Sequence, residues 1–292
     1  MQILHRFNLE LFWNILIYSF LTLMALCMIY PFWELIIISF SPAEEASRVG
    51  LKLVPRGFTL EAYSRVFDSK LIGYGYFNSI FRTVVGTSLS VLLYFCTAYP
   101  LAKKVLPMRN FFTLYYLFPM FFSGGLIPNF LLVQKLGLYD TIWALIAPVL
   151  FSTFHILVMR NFLMQLPEAL EESALIDGAN FMRILVQIVI PLSMPILATM
   201  ALWVGVHHWN AWFDALIYTR SNENIVLQLI LRRVLIQEDS TGVTDSLQGD
   251  EGVVTQTMEA ATVLVTIGPI ILTYPFLQKY FVKGVLIGSL KG

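Results

Sequence analysis

Long apolar runs separated by short polar segments set the pattern of the chain. A membrane-spanning helix needs about 20 mainly apolar residues. Six stretches meet that length: 14–40, 77–102, a third that starts at Phe111, 141–164, 188–217 and 259–281. The third runs to about Ser123 and is then interrupted by Gly124-Gly125 and Pro128 before Leu132. Irregular backbone is not tolerated against lipid, so this stretch predicts a short or re-entrant helix packed on protein. Two connections are long. Residues 41–76 carry Pro42, Pro55 and Gly57 among alternating polar and apolar positions. Residues 220–258 include a polar stretch, 237–252, rich in Gly, Asp and Thr, which predicts a loop with a mobile tip.

One polar segment, between the fourth and fifth runs, has helical punctuation. Pro167 suits a first helical position, where its missing N–H would be unpaired anyway. Glu168, Glu171 and Glu172 follow in the first two turns, where the helix dipole favours negative charge. Gly178 suits the left-handed position just past a helix end. Asn180 is a good N-cap for a second helix that enters the fifth run, and Pro191 and Pro195 predict a break or kink in it. The segment therefore predicts helix, tight turn, helix. Ala169, Leu170, Ser173, Ala174 and Ile176 give the first helix a face of small and apolar residues that another protein could approach closely. The alternative is a connector lying on the membrane surface. Such connectors are usually rich in Lys and Arg, and this one is acidic.

Composition agrees with the pattern. Apolar residues make up 57% of the 292 and charged residues 13%, far from soluble domains, so the chain reads as an all-α integral membrane protein. A formal net charge of zero argues against a nucleic-acid partner. Cys27 and Cys96 both fall inside apolar runs and read as buried small apolar side chains. The first run is too long for a signal-peptide core and reads as a mature span. Gly86, Ser88 and Ser90 read as helix-packing positions. Basic residues divide almost evenly between the two sides of a six-span topology, so charge alone does not orient it.

Ionisable groups inside spans are expensive and invite a functional reading. His155 falls in the fourth run. His207, His208 and Asp214 fall in the fifth, with Asn210 and the aromatic residues Trp203, Trp209 and Trp212. One reading is a sugar path through Trp203, His207, Trp209, Asn210, Trp212 and Asp214, with aromatic faces stacking on pyranose rings while Asn210 and the histidines hydrogen-bond hydroxyls. The other is interhelical contact and an interfacial belt. Asp214 also keeps open a secondary transporter driven by an ion gradient. No Gly-x-Ser-x-Gly, His-Glu-x-x-His or Walker A lysine motif occurs, so ATP chemistry would have to come from another chain.

The spacing of the polar segment carries a resemblance. Glu172-Ser173-Ala174, three residues, Gly178, nine residues, Ile188, one residue and Ile190-Pro191 resembles the EAA signature of permease subunits of binding-protein-dependent ABC importers. That signature reads Glu-Ala-Ala, three residues, Gly, nine residues, Ile, one residue, Leu-Pro. Ser173 and Ile190 are mild departures. Asp177-Gly178-Ala179, Gly124-Gly125-Leu126-Ile127-Pro128 and the run from Trp209 to Leu216 are similar to the carbohydrate branch of these permeases. The ending from Lys279 to Gly292 is similar to MalG-like second permeases, closest to the LplC/YtcP group linked to oligosaccharides from complex polysaccharides.

The resemblance implies six transmembrane helices in the type I permease fold and a cytoplasmic coupling helix docked on an ATPase. Glu168, Glu171, Glu172, Ser173, Ala174, Asp177, Gly178, Ile188 and Pro191 would carry the coupling. It also implies a cytoplasmic segment 1–13, a permease domain 14–282 with its coupling loop at about 165–190, and a cytoplasmic tail 283–292. The implied partners are a homologous sister permease, an ATPase dimer that holds the ATP and Mg, and an extracytoplasmic solute-binding protein delivering oligosaccharide. This chain itself would carry no cofactor, and its place would be the bacterial cytoplasmic membrane. A permease for peptides is the rival reading within the same class.

Overall fold

The computed structural model describes the backbone of residues 2–236 and 256–289, and the side chains of 11–236 and 256–272. Among these residues every regular element is helical. The chain divides into two compact units, Met1–Ser69 with Val234–Gly268, and Lys70–Arg233 with Pro269–Gly292.

In the first unit, α1 (Gln2–Ser39) contains an apolar stretch, Leu11–Ser39, of which no part of the most apolar window is buried. A helix apolar on all sides is suited to lipid or to another subunit. The connection after it is not one loop: it holds α2 (Ala43–Ala46) and α3 (Glu61–Asp68). The alternating pattern there conceals an amphipathic turn, with Ala62 and Val66 buried one turn apart and the Thr59 hydroxyl accepting from the Glu61 N–H at 3.2 Å. Phe40 stacks on Phe58, and the Ser39 hydroxyl meets the Tyr63 hydroxyl at 2.8 Å, which folds the segment back on the end of α1.

The second unit is built on α4 (Lys70–Ala102), which begins ahead of the predicted start at residue 77. The third predicted span is a broken one: α5 (Arg109–Phe121) and α6 (Leu126–Lys135) meet at 110° about Gly124-Gly125, with Gly125 at φ +86°. The fourth is also broken, which the pattern did not predict. Two 3₁₀ turns, Ile142–Leu145 and Ala147–Val149, meet α7 (Thr153–Leu163) at 50° through an extended Ser152. Pro148 in the second turn cannot donate to a continuing α ladder.

After α8 (Glu168–Ile176) come α9 (Phe181–Ile184), a π turn over Leu185–Val189, α10 (Ile190–Leu192) and α11 (Met194–Asn210). The chain bends by 72° at Ser193, between Pro191 and Pro195, as those prolines predict. The wide turn ahead of Pro191 relieves the clash its ring would make with the carbonyl four residues back.

The fifth helix does not reach residue 217. It stops at Asn210, and α12 (Phe213–Tyr218) follows an extended Ala211. A further helix, α13 (Leu227–Ile236), occupies a connection read as loop, and its apolar residues Leu227, Leu229 and Ile230 are buried. The predicted mobile tip at 237–252 lies outside the described residues. α14 (Gln256–Ser289) covers the sixth predicted span, 259–281.

α4 packs on α7 and α11 around Tyr94, Phe95, Ala98, Ile156, Met159, Met200 and Val204. Apolar burial gains little between helices already in lipid, so close approach decides such packing. Gly86 supplies it: a Cβ there would lie 2.5 Å from the ring of His208. Ser90 is buried in the same face, whereas Ser88 points outward. Cys27 and Cys96 are free thiols and exposed, not buried as their apolar neighbours predicted.

Candidate functional site: the acidic helix and the fifth-span break

α8 begins and ends where its punctuation says, with one correction. Pro167 is the N-cap, one position before the first helical residue, with extended ψ. At the other end the Ala179 N–H donates to the Ala174 carbonyl at 2.9 Å and the Gly178 N–H to the Leu175 carbonyl at 3.0 Å. Gly178 sits at φ +80°. This is the Schellman arrangement, which needs a left-handed residue at that point. The Asn180 side-chain oxygen then accepts from the Arg183 N–H at 2.8 Å and starts α9.

The residues named from sequence divide between two faces. Glu168, Glu172, Ser173 and Asp177 are exposed, together with Ala169, Leu170, Leu175 and Ile176. Ile176 is 86% exposed, an apolar side chain with little over it among the described residues. Ala174 and Ile188 turn inward against the core of α4, α7 and α11. Glu171 also turns inward, where it pairs with Lys103 and accepts from the Tyr99 hydroxyl at 3.3 Å. Lys103 lies over the Tyr99 ring as well. Pro191 is exposed beyond the π turn.

The base beneath α8 is cross-braced by hydrogen bonds. The Leu101 carbonyl, at the end of α4, accepts from Arg109 of α5 at 2.9 Å and from Arg160 of α7 at 3.1 Å. Carbonyls at a helix end have no partner within the helix, and here two guanidinium groups supply them. On the outer edge Lys104 meets Glu168 at 3.0 Å. The hydrogen bond and charge of Lys104 hold the Glu168 carboxyl below the usual carboxylate range. Both side chains are mostly exposed, so water screens the pair.

The second set of named residues is divided, among the described residues, between several separate contacts. Asp214 is engaged by Arg82 of α4, which is wholly buried; the Arg82 guanidinium also donates to the Ala211 carbonyl at 3.2 Å and reaches His208 Nδ1 at 3.4 Å. The carbonyl left free where α11 stops is thus satisfied from a neighbouring helix, which is why the fifth span breaks there. His208 is buried beside Gly86, while His207 next to it is exposed. Trp203 joins a ring cluster with His155 and Phe154, in which His155 stacks on Tyr94 at 5.4 Å. Trp209 is half-buried, and the Asn210 amide donates back to the Val206 carbonyl at 3.0 Å. Trp212 carries the guanidinium of Arg232 on its ring, 3.5 Å from the ring centre.

Sequence reasoning missed Lys103, Arg82 and Arg232 as partners, though an Arg in the second apolar run and an Asp in the fifth were a readable pair. It also missed Asp140. This residue lies in the left-handed region at φ +58° and accepts from the Arg220 and Ser221 N–H groups and the Ser221 hydroxyl, each at 2.9 Å. Burial alone would raise its carboxyl, but these bonds and one from Asn224 outweigh it and hold the group below its ordinary range. The knot fixes the stretch that leads from α12 to α13.

The chain is 38% identical over 286 residues to the polygalacturonan/rhamnogalacturonan transport system permease protein YtcP of Bacillus subtilis (strain 168), covering 96% of this chain and 98% of that one. It is 41% identical over 264 residues, 90% of each chain, to Protein LplC of the same organism. A solved chain of a bacterial ABC transporter involved in the import of the acidic polysaccharide alginate superposes with a TM-score of 0.83 and 32% identity, covering 92% of this chain and 96% of that one. Residues 86–287 match the model of the binding-protein-dependent transport system inner membrane component, and the chain belongs to that family of ABC importer permeases.

Proposed function

We propose that the chain forms one half of the membrane pathway of an ATP-driven importer for oligosaccharides cut from complex polysaccharides. A homologous sister permease forms the other half. A cytoplasmic ATPase dimer drives the pair, and an extracytoplasmic binding protein delivers the sugar. The polygalacturonan and alginate cargoes named for two similar proteins support this substrate class over peptides. The ion-gradient alternative called for a midplane carboxylate or a paired inverted repeat; its one candidate, Asp214, is engaged by Arg82, which speaks for a bracing role instead.

The observation that carries the reading is the two-faced α8. Its outer face (Glu168, Leu170, Glu172, Ser173, Ile176 and Asp177) is uncovered, and its inner face is tied to α4 through Glu171 and Ala174. A load applied to the outer face moves α4, α7 and α11 with it, because the interface beneath is packed and charge-paired. In this reading α8 faces the cytoplasm, so the segments 1–13 and 283–292 do too, flanking the permease domain 14–282. ATP binding closes the ATPase dimer, α8 follows, and the cavity turns outward to receive sugar. Nucleotide and Mg belong to the ATPase.

The test is purification of the tagged chain from native membranes in mild detergent, with mass spectrometry and ATP hydrolysis of the eluate. A sister permease and an ATPase are expected to co-purify, and Glu172→Lys to remove the ATPase while the sister permease stays. A chain that emerges alone and inert to ATP would sink the reading.

A further inference from the structure

Beside the break in the fifth span stands a basic group, Arg232, whose N–H groups have no partner among the described residues. Arg232 lies on α13, and α13 is well anchored: Leu227 and Ile230 seat on α4 at Gly75, where a Cβ would come within 3.3 and 2.6 Å of them. The Leu227 N–H donates to the Ser79 hydroxyl at 3.0 Å, and the Asn78 amide donates to the Ile225 carbonyl at 2.8 Å. From this base the Arg232 guanidinium lies over the Trp212 ring, 3.5 Å from the ring centre. Among the described residues it makes no hydrogen bond and no ion pair. Arg82, by contrast, has its donors on Asp214, Ala211 and His208.

Stacking fixes the plane of a guanidinium and shields one face from water, but uses none of its N–H groups, which lie in the plane. What remains is a rigid fork of donors whose geometry matches a carboxylate through two parallel bonds. The fork stands beside Ala211-Trp212, where the helix is interrupted. Irregular backbone at membrane depth persists only where it is buried in protein or lines a water-filled cavity, and His207 and Asn210 are exposed on the same stretch.

We propose that Arg232, held by Trp212, is a carboxylate-binding subsite that selects uronate-bearing oligosaccharides over neutral ones. The inference rests on the oligosaccharide-import reading above and adds to it the charge of the cargo. A neutral hydroxyl accepts one ordinary bond from such a fork, whereas a carboxylate accepts a charge-assisted pair.

The experiment uses the complete importer in proteoliposomes with its binding protein inside reach of the outer face. The probes are trigalacturonate and trimannuronate, each beside its full methyl ester. Wild type is compared with Arg232→Gln and Arg232→Lys. Loss of the charge-assisted pair predicts about a tenfold to hundredfold fall in uptake efficiency for the acids in the Gln variant. The esters should change by no more than about twofold, and Lys should recover part of the acid uptake because it restores charge without the fork. Binding-protein affinity, measured separately by calorimetry, should be unaltered. Equal losses for acids and esters would reduce Arg232 to a structural prop and overturn the inference. So would unchanged uptake of the acids, or a wild type that imports only esters. A wild type that imports none of the four, while its subunits remain assembled, would overturn the oligosaccharide reading itself and this inference with it.

Discussion

Arg82 and Asp214 form a pair in which either partner alone is a liability. The arginine is wholly buried, so removal of Asp214 leaves a charge with nothing to balance it. Single changes, Arg82→Met or Asp214→Leu, are expected to cost about 3–5 kcal/mol each, and the double change far less than their sum. Thermal unfolding of the four proteins in detergent gives the coupling directly; additive losses would mean that the pair is not the brace of the fifth-span break. Asp140 is the second such residue. Its carboxyl is held below the usual range, so it contributes stability that is present above about pH 4 and is lost as pH falls through its folded value. The unfolding midpoint of Asp140→Asn relative to wild type is expected to show a deficit at neutral pH that closes as the buffer is taken toward pH 3. A deficit independent of pH would assign the effect to shape and not to charge.

At the scale of the element, α8 depends on how it ends. Gly178 has open space where a Cβ would go, so the cost of replacing it is a backbone cost. A left-handed residue with a Cβ costs about 1–2 kcal/mol, more when β-branched, and Asn bears it best. Gly178→Val is expected to lower sugar-coupled ATP hydrolysis at least several-fold while membrane insertion persists, and Gly178→Asn to stay near wild type. Equal behaviour of the two would show that the turn is not what aligns the helix. The ends of α8 were legible because Pro167, Gly178 and Asn180 act through local backbone conformation, which neighbours in sequence decide. Its two faces were not. Glu171 and Glu172 are adjacent and chemically alike, and only the position of Lys103, just past the end of α4, turns the first inward.

For the whole molecule, the import reading requires α8 and the end of α4 to move as one piece. A short cross-link between cysteines placed at Lys103 and Glu171, in a background where Cys27 and Cys96 are replaced, is expected to leave sugar-stimulated ATP hydrolysis within about twofold of the uncross-linked protein. Arrest by the cross-link, reversed on cleaving it, would mean that the two separate during the cycle. The broken spans belong to this scale too. Gly124-Gly125 announced one break, and Pro191 and Pro195 another, because these residues change the backbone wherever they stand. The end of α11 at Asn210 had no such signal.

The sequence alone determined membrane residence, the approximate place of the apolar runs, and the helix, turn and helix of the acidic segment. Apolar run length and local backbone preference do not depend on what folds against them. It also carried the family signature, which is a matter of spacing. The tertiary structure decided which charges meet: Arg82 with Asp214, Lys103 with Glu171, Arg232 on Trp212, and Asp140 with the stretch after α12. These partners lie tens of residues apart, and a charge inside a membrane helix is settled by whichever opposite group the packing brings within reach.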